Sequence, residues 1–270
     1  MGPLILEKNK IDLDFSNVTI TPTDGVASDP GTDFVNLLRN RRNDSGWGTA
    51  GSSDAGLTTL TVEMTDEHEC TDLFLVDMNF KAYTVKYWNG SAYVDFSVPI
   101  AETTNTLTTK HHQFAAVSFS RFQIIIQGTM TADQDKLMAQ LIITRRLGQF
   151  TTEPYIKKPK IEKGRKVRKM LSGRSNVTRS LGAFSCAFAF PGMTDVTDHA
   201  LIEAMFDSFN GFLVWLRGDQ TNASLFTDVQ GFRTKDLYLM TCANDLETEW
   251  NGGYFKHGQK IEITLVESRI

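Results

Sequence analysis

The sequence predicts a mainly β protein of two domains, and three observations support that prediction. Asn89-Gly90 lies between two runs of strand-forming residues, and this dipeptide is a strong hairpin signal because both turn positions favour positive φ. Ala183–Phe190 is apolar at nearly every position, as expected of a strand covered on both faces. Gly258–Glu267 alternates apolar with polar residues, which is typical of a strand with one buried face.

The hairpin around Asn89-Gly90 also predicts which side chains share a face. A two-residue loop implies the pairs Trp88–Ser91, Val85–Val94 and Tyr83–Phe96. Trp88 and Tyr93 then lie on the face opposite Val85 and Val94. An aromatic ring on an exposed face can stack on a sugar, so Trp88 and Tyr93 are candidate sugar contacts. They can equally pack under a second sheet or against a neighbouring protomer.

The rest of the first half is predicted to complete a β-sandwich. A short helix is expected at Asp33–Asn40, and Trp47 is placed to close one end of the sandwich. Further strands are predicted at Leu57–Met64, Thr71–Asn79, Arg121–Gln127 and Leu137–Arg146.

The second half contains a strand, an amphipathic helix and another strand between Gly182 and Arg217. Asp195 or Thr197 can cap the helix, which is predicted over about 195–209. Its apolar stripe consists of Leu201, Ile202, Met205, Phe206 and Phe209. Pro191-Gly192 is expected to end the first strand, and Asn210-Gly211 to end the helix.

The predicted domains are residues 1–150 and 165–270, joined by a linker at 151–164. The linker contains two prolines and several lysines with little apolar periodicity, a composition typical of an exposed connector.

Composition excludes some classes of protein. The chain is 41% hydrophobic and 22% charged, as in globular proteins. It contains no apolar run long enough for a transmembrane helix and no secretory signal at its start, so we expect cytoplasmic synthesis and no membrane insertion. The three cysteines Cys70, Cys186 and Cys242 form neither a disulfide framework nor a metal motif.

Charge is distributed unevenly along the chain. Between Lys157 and Arg179, ten Lys or Arg residues accompany a single acid, Glu162, for a net charge of +9; since the whole chain carries −4, the remainder totals −13. We interpret this basic segment as a subunit interface that includes Lys163, Arg165, Lys166, Arg168 and Lys169. The alternatives are a solvated segment and nucleic-acid binding, and few aromatic residues support the latter.

The sequence offers little sign of catalysis, and we expect no enzymatic activity, cofactor or metal centre. His111 and His112 are adjacent, so in a strand their side chains would point to opposite faces. The acidic groups Asp66/Glu67/Glu69 and Asp133/Asp135 are interpreted as solvated charge in turns. The loop Asp24–Asp33 is rich in oxygen ligands and is a candidate for structural calcium.

Residues 10–148 resemble the discoidin, or coagulation factor 5/8 type C, family of galactose-binding-like jelly rolls. The similarity lies in Ser45-Gly-Trp47, Thr59–Met64, Phe80–Phe96 and Ser120–Ile126. Tyr93 stands where that family usually has Trp, and Gln123-Ile124 lacks a second Arg. The resemblance implies a β-sandwich and a structural calcium in the early loop.

The second half resembles the β-rich core of bacteriophage distal tail and baseplate ring proteins. The similarity lies in Ser180–Phe190, the helix, Gly211–Arg217 and Gly258–Glu267. This resemblance implies assembly into a ring around a tail axis.

Together these features lead us to expect a structural protein of a phage tail tip or baseplate, assembled in the host cytoplasm and located in the virion. Its expected partners are copies of itself and other tail proteins. The alternative is a carbohydrate-binding adhesion protein that binds a host-surface glycan through its first domain.

Overall fold

The computed structural model describes residues 3–12, 18–23, 38, 46–49, 56–162, 165–169, 175–179, 183–193, 195–208, 211–216, 237–244, 248–250 and 259–267. These residues form eighteen strands and one helix, which confirms the mainly β fold class. The strands are β1 Leu4–Glu7, β2 Val18–Pro22, β3 Trp47–Gly48, β4 Leu57–Val76, β5 Phe80–Trp88, β6 Tyr93–Glu102, β7 Lys110–Thr129, β8 Leu137–Met138, β9 Gln140–Thr144, β10 Arg146–Gln149, β11 Tyr155–Glu162, β12 Arg165–Lys169, β13 Ser175–Arg179, β14 Ala183–Met193, β15 Phe212–Trp215, β16 Leu237–Cys242, β17 Thr248–Trp250 and β18 Gln259–Glu267. The helix, α1, spans Val196–Asp207.

Residue contacts divide the chain into two units. An N-terminal unit contains the described residues of Asn9–Arg146, and a C-terminal unit contains the first eight residues together with those from Leu147 onward. The first eight residues, expected in the first domain, are grouped with the second because β1 pairs with β15, Ile5 lying opposite Val214. Along the sequence, the N-terminal unit is therefore an insertion that follows β1 of the C-terminal unit and precedes the rest of that unit.

The N-terminal unit is organised by the pairing of two 20-residue strands, β4 and β7. Its main sheet has the order β2-β4-β7-β5-β6, with β9 also paired to β4, and β3 pairs with β8. Both halves of β4 contribute to one core, since Leu60 and Leu73 belong to the same buried cluster. Trp47 belongs to this cluster and is 2% exposed, consistent with its expected position in the sandwich.

A bulge interrupts the β4–β7 ladder. Glu63 pairs with Arg121 and His68 with Phe119, so four residues of β4 lie opposite the single residue Ser120 of β7. Such a bulge interrupts pairing with the opposite strand, here β7, and re-aims side chains of the bulged strand; on the other side of β4, Met64 still pairs with Val18 of β2.

The C-terminal unit is built on one eight-stranded sheet with α1 packed against it. The strand order is β10-β1-β15-β16-β18-β14-β11, with β17 paired to β18. Leu201, Ile202 and Met205 of α1 share a core cluster with Phe188 and Ile263. The inward positions predicted for the last strand, Ile261, Ile263 and Leu265, are buried, as predicted.

The helix begins as predicted, with Asp195 as its N-cap accepting a hydrogen bond from the Thr197 amide at 2.8 Å. The sequence analysis missed the role of Asp198, which is 1% exposed. Its carboxylate accepts hydrogen bonds from the amides of Thr151 and Thr152 at 2.8 and 2.9 Å. Buried carboxylates are stabilised by such bonds, so Asp198 fixes the turn before β11 to the helix.

Several elements differ from the prediction. The predicted strand Leu137–Arg146 is divided among β8, β9 and β10, and the predicted strand Arg121–Gln127 is one part of β7. The expected linker contains β11, an edge strand paired with β14; lysines and proline are also typical of edge strands, because they discourage further pairing. The strand at Ala183 continues beyond Pro191 to Met193, with an irregular register after Phe190. Leu57–Met64 and Thr71–Asn79 belong largely to one strand, β4. The predicted helix at Asp33–Asn40 lies outside the described residues, except for Leu38.

If β1 is part of the C-terminal core, Ile5→Ala should destabilise that unit alone. Ile5 is fully buried, and such truncations cost about 2–5 kcal/mol. Hydrogen exchange should become faster in β14, β15 and β18 and stay unchanged in β4 and β7. Ile124→Ala in β7 is the matched control and should give the reverse pattern; equal acceleration in both units by Ile5→Ala would contradict the division.

Candidate functional site

The outward face of the N-terminal sheet carries polar side chains and one aromatic pair. The ladders align Asp95, Lys86, Gln123, Thr61 and Thr21 across five strands. The adjacent apolar row consists of Val94, Tyr87, Phe122, Val62 and Ile20; the last three are buried, and Val94 and Tyr87 are half-buried. Because side chains alternate between faces, a polar row and an apolar row follow each other along the sheet.

Trp88 and Tyr93 lie opposite each other at the end of the β5–β6 hairpin. Their ring centroids are 5.1 Å apart at an interplanar angle of 64°, the edge-to-face arrangement that aromatic pairs favour. Both side chains are half-buried, so each leaves part of its ring open. The predicted placement of these two residues on the face opposite Val85 and Val94 agrees with the structure.

Charged side chains flank the aromatic pair. Arg121 lies 3.7 Å from Glu63, and Lys86 lies 3.7 Å from Asp95. Burial and the nearby Glu63 carboxylate raise the pKa of Tyr93 above its ordinary value, partly offset by Arg121. The Tyr93 phenol therefore stays protonated and can donate a hydrogen bond.

The hairpin register differs from the prediction by two residues beside the turn and by six beyond a bulge, where Tyr83 pairs with Glu102 instead of Phe96. Trp88 pairs with Tyr93 rather than Ser91, and a bulge places Val85 opposite Ile100. The loop is four residues long because the Asn89 side chain accepts hydrogen bonds from the amides of Ser91 and Ala92, each at 3.0 Å. Both shifts are even, so Trp88 and Tyr93 stay on their predicted face.

A buried polar network lies elsewhere in the N-terminal unit. The Asp72 carboxylate is fully buried and lies 2.8 Å from His111 Nε2 and 2.7 Å from Arg146. Burial alone would raise the pKa of Asp72, but hydrogen bonds from His111, Arg146 and Thr71 hold it below its ordinary value. This arrangement satisfies a buried charge, and we interpret it as structural.

His112 contacts a different partner from its neighbour, as expected of adjacent strand residues. Its Nε2 lies 2.8 Å from the Tyr83 hydroxyl, whereas His111 bonds Asp72 and stacks on Phe74 with centroids 4.5 Å apart. Burial lowers the pKa of His112 to about 3, assisted by Lys110 and His111. The ring is therefore neutral in the folded protein at pH 7.

The predicted subunit-interface residues fall on one two-stranded ribbon. Arg165, Lys166, Arg168 and Lys169 occupy β12, which pairs with β13, and Lys163 lies outside the described residues. Among described strands, β12 and β13 pair only with each other. The site prediction for these residues stays a prediction.

The remaining candidates from the sequence are the calcium loop, the cysteines and the acidic group at Asp66. The calcium loop Asp24–Asp33 lies outside the described residues, and within those described no three His, Cys, Asp or Glu side chains group to hold a metal. Burial raises the pKa of Cys186 and of Cys242 to about 11, which makes both thiols poor nucleophiles. The acidic group at Asp66 lies in the bulge of β4, not in the turn expected.

Within the described part of the chain, no helix is long and apolar enough to cross a membrane.

The sequence analysis missed Arg121, Glu63, Lys86, Asp95 and Gln123. They lie on four strands, and only strand order and register bring them beside the aromatic pair. The available signal was local: each of these polar residues has apolar residues on both sides of it, or an apolar residue next to it, in a strand-forming run.

Comparison with known proteins gives remote structural similarity. No protein-family model and no curated protein matches the chain. About half of the chain is similar to chitosan-binding module 1 of a Paenibacillus sp. IK-5 chitosanase/glucanase, with 12% identity and a TM-score of 0.42 over 51% of this chain and 98% of that one. It is also similar to the family 32 carbohydrate-binding module of Clostridium perfringens NanJ in complex with galactose, with 16% identity and a TM-score of 0.41 over 52% of this chain and 100% of that one. A third similar structure is an α-L-fucosidase from Bacteroides thetaiotaomicron, with 9% identity and a TM-score of 0.41 over 52% of this chain. The match spans 30% of the fucosidase chain.

The half-buried His112 should make folding stability depend on pH. Its pKa is about 3 in the folded state and about 6.5 when unfolded, so its stabilising effect is complete above pH 6.5. Between pH 6.5 and 4.5, stability should fall by roughly 1 kcal/mol per pH unit, because the unfolded state takes up the proton.

Urea denaturation over that pH range measures the effect. His112→Gln should flatten the profile, whereas the control His199→Gln, on α1, should keep it. Asp72 contributes only at lower pH, because its own stabilising effect is lost as pH falls below its unfolded pKa of about 3.9. An unchanged slope in His112→Gln would show that His112 does not titrate as described.

Proposed function

We propose that the N-terminal unit binds carbohydrate on the outward face of its main sheet. The observation that carries this proposal is the edge-to-face pair of Trp88 and Tyr93 beside the Arg121–Glu63 ion pair. At the TM-scores given above, the similarity to carbohydrate-binding modules carries no weight in it.

The chemistry of this face suits a saccharide. An aromatic ring provides a flat apolar surface for the C–H face of a pyranose. Arg and Lys donate hydrogen bonds and carboxylates accept them, so both kinds of partner for sugar hydroxyls lie next to the rings. The positive and negative charges on this face balance, which favours a neutral sugar over a charged one.

We propose that binding is not followed by catalysis. Glycoside hydrolysis uses two carboxyl groups that flank the scissile bond, one acting as acid and one as base or nucleophile. On this face the two carboxylates, Glu63 and Asp95, are each held by a cation, Arg121 and Lys86. We therefore assign both carboxylates to accepting hydrogen bonds from sugar hydroxyls, beside their paired cations, and not to acid–base chemistry.

Removal of either ring should weaken glycan binding without unfolding the protein. Trp88→Ala and Tyr93→Ala should each reduce affinity for a glycan identified on a neutral-glycan array by about tenfold, a loss of about 1.4 kcal/mol. Tyr155→Ala is the matched control, since Tyr155 is 67% exposed on the C-terminal unit. Isothermal titration calorimetry measures the affinities.

Two results would overturn this proposal. One is the absence of any glycan that binds the wild-type chain on the array. The other is a bound glycan whose affinity is the same in Trp88→Ala, Tyr93→Ala and wild type.

A second candidate function is structural: assembly into a ring of a phage tail tip or baseplate. The charge asymmetry, with +9 concentrated between Lys157 and Arg179 and −13 elsewhere, supports the self-association that this function requires, since complementary charges favour association of identical copies. Light scattering and negative-stain microscopy test it: a closed ring is expected, and a monomer at high concentration contradicts it.

A further inference from the structure

We propose that the β12–β13 ribbon of one copy docks on the acidic bulge of a second copy. The acidic bulge is defined as Thr65, Asp66 and Glu67 of β4. This inference rests on the assembly function proposed above and is independent of carbohydrate binding.

The acidic bulge lies at the surface of the N-terminal unit. All three of its residues are exposed, because four residues of β4 lie opposite one residue of β7. The neighbouring acids Glu63 and Glu69 are already ion-paired with Arg121 and Arg145. Within the described residues, Asp66 and Glu67 have no ion pair.

The ribbon is the complementary element. Its strand β12 reads Arg-Lys-Val-Arg-Lys, and its register places Arg165 opposite Arg179. Both of its outer edges lack a described partner strand. A two-stranded ribbon is marginally stable alone, and like charges on facing positions weaken it further, so an anionic surface would stabilise it.

The bulge and the ribbon belong to different units of the chain, and each is present once per copy. Such a contact is heterologous: the ribbon of each copy faces the bulge of the next, which generates rings when the rotation closes. The opposite charges of the ribbon and the acidic bulge therefore indicate that the partner of each is a second copy of this chain.

Charge reversal in two separate variants tests the contact between copies. The ribbon variant is Lys166→Glu/Arg168→Glu, and the bulge variant is Asp66→Lys/Glu67→Lys. Each alone should weaken self-association at least about tenfold in sedimentation velocity, because like charges then face each other. An equimolar mixture should associate again, since each variant supplies what the other lacks. Association of the wild type should also weaken with added salt.

Matched controls separate charge from position and from folding. Glu203→Lys/Asp207→Lys makes the same change on exposed residues of α1 and should leave association unchanged. Circular dichroism checks each fold. Should the ribbon variant not fold, Lys166→Gln/Arg168→Gln removes the same two charges from the same face of the strand and takes its place.

The outcomes distinguish this inference from the assembly function. Wild-type association that neither reversal alters, or a mixture that stays dissociated, overturns the docking proposal and leaves assembly standing. A wild type that is monomeric at low salt overturns both. Tight binding of a labelled DNA duplex that the ribbon variant loses, with self-association unchanged, overturns the proposal in favour of nucleic acid.

Discussion

The N-terminal unit depends on the pairing of β4 with β7. Each is 20 residues long, and the pairing between them carries the sheet from Leu57–Gln127 at one end to Leu75–Lys110 at the other. Strands β2, β5 and β9 are each paired to one of these two. The pairing therefore determines which side chains form the core and which form the outward face with its aromatic pair.

Local patterns in the sequence predicted much of this fold because their causes are local. The helix cap at Asp195, the apolar run at Ala183–Phe190 and the alternation of Ile261, Ile263 and Leu265 each arise from neighbouring residues. The faces of Trp88 and Tyr93 were also predicted correctly. The face of a strand residue depends only on whether its position is odd or even, so it was predicted correctly although the register was wrong by two residues near the turn and by six beyond the bulge.

Features that depend on distant pairing were not predicted. Nothing near Ile5 indicates that its strand pairs with Val214, about two hundred residues later. The lysines and proline of β11 fit a linker and an edge strand equally well. The acids at Asp66 and Glu67 fit a turn until the opposing strand is known, since a bulge is defined by its partner.

The same limit applies to the candidate site. Trp88 and Tyr93 were found because one hairpin brings them together, whereas Arg121 and Glu63 reach them from two further strands. Only the ordered sheet makes these four side chains neighbours. The strand order therefore places the Trp88–Tyr93 pair beside the charged side chains of the outward face.

The most direct test of the central claim is the indole N–H spectrum of the protein during titration with a bound oligosaccharide. Trp47 and Trp215 are each 2% exposed and serve as internal references, while Trp88 lies on the outward face. Carbohydrate binding at this face predicts that the Trp88 resonance shifts with saturation and the two references stay fixed. Saturable binding that leaves the Trp88 resonance unmoved would contradict it.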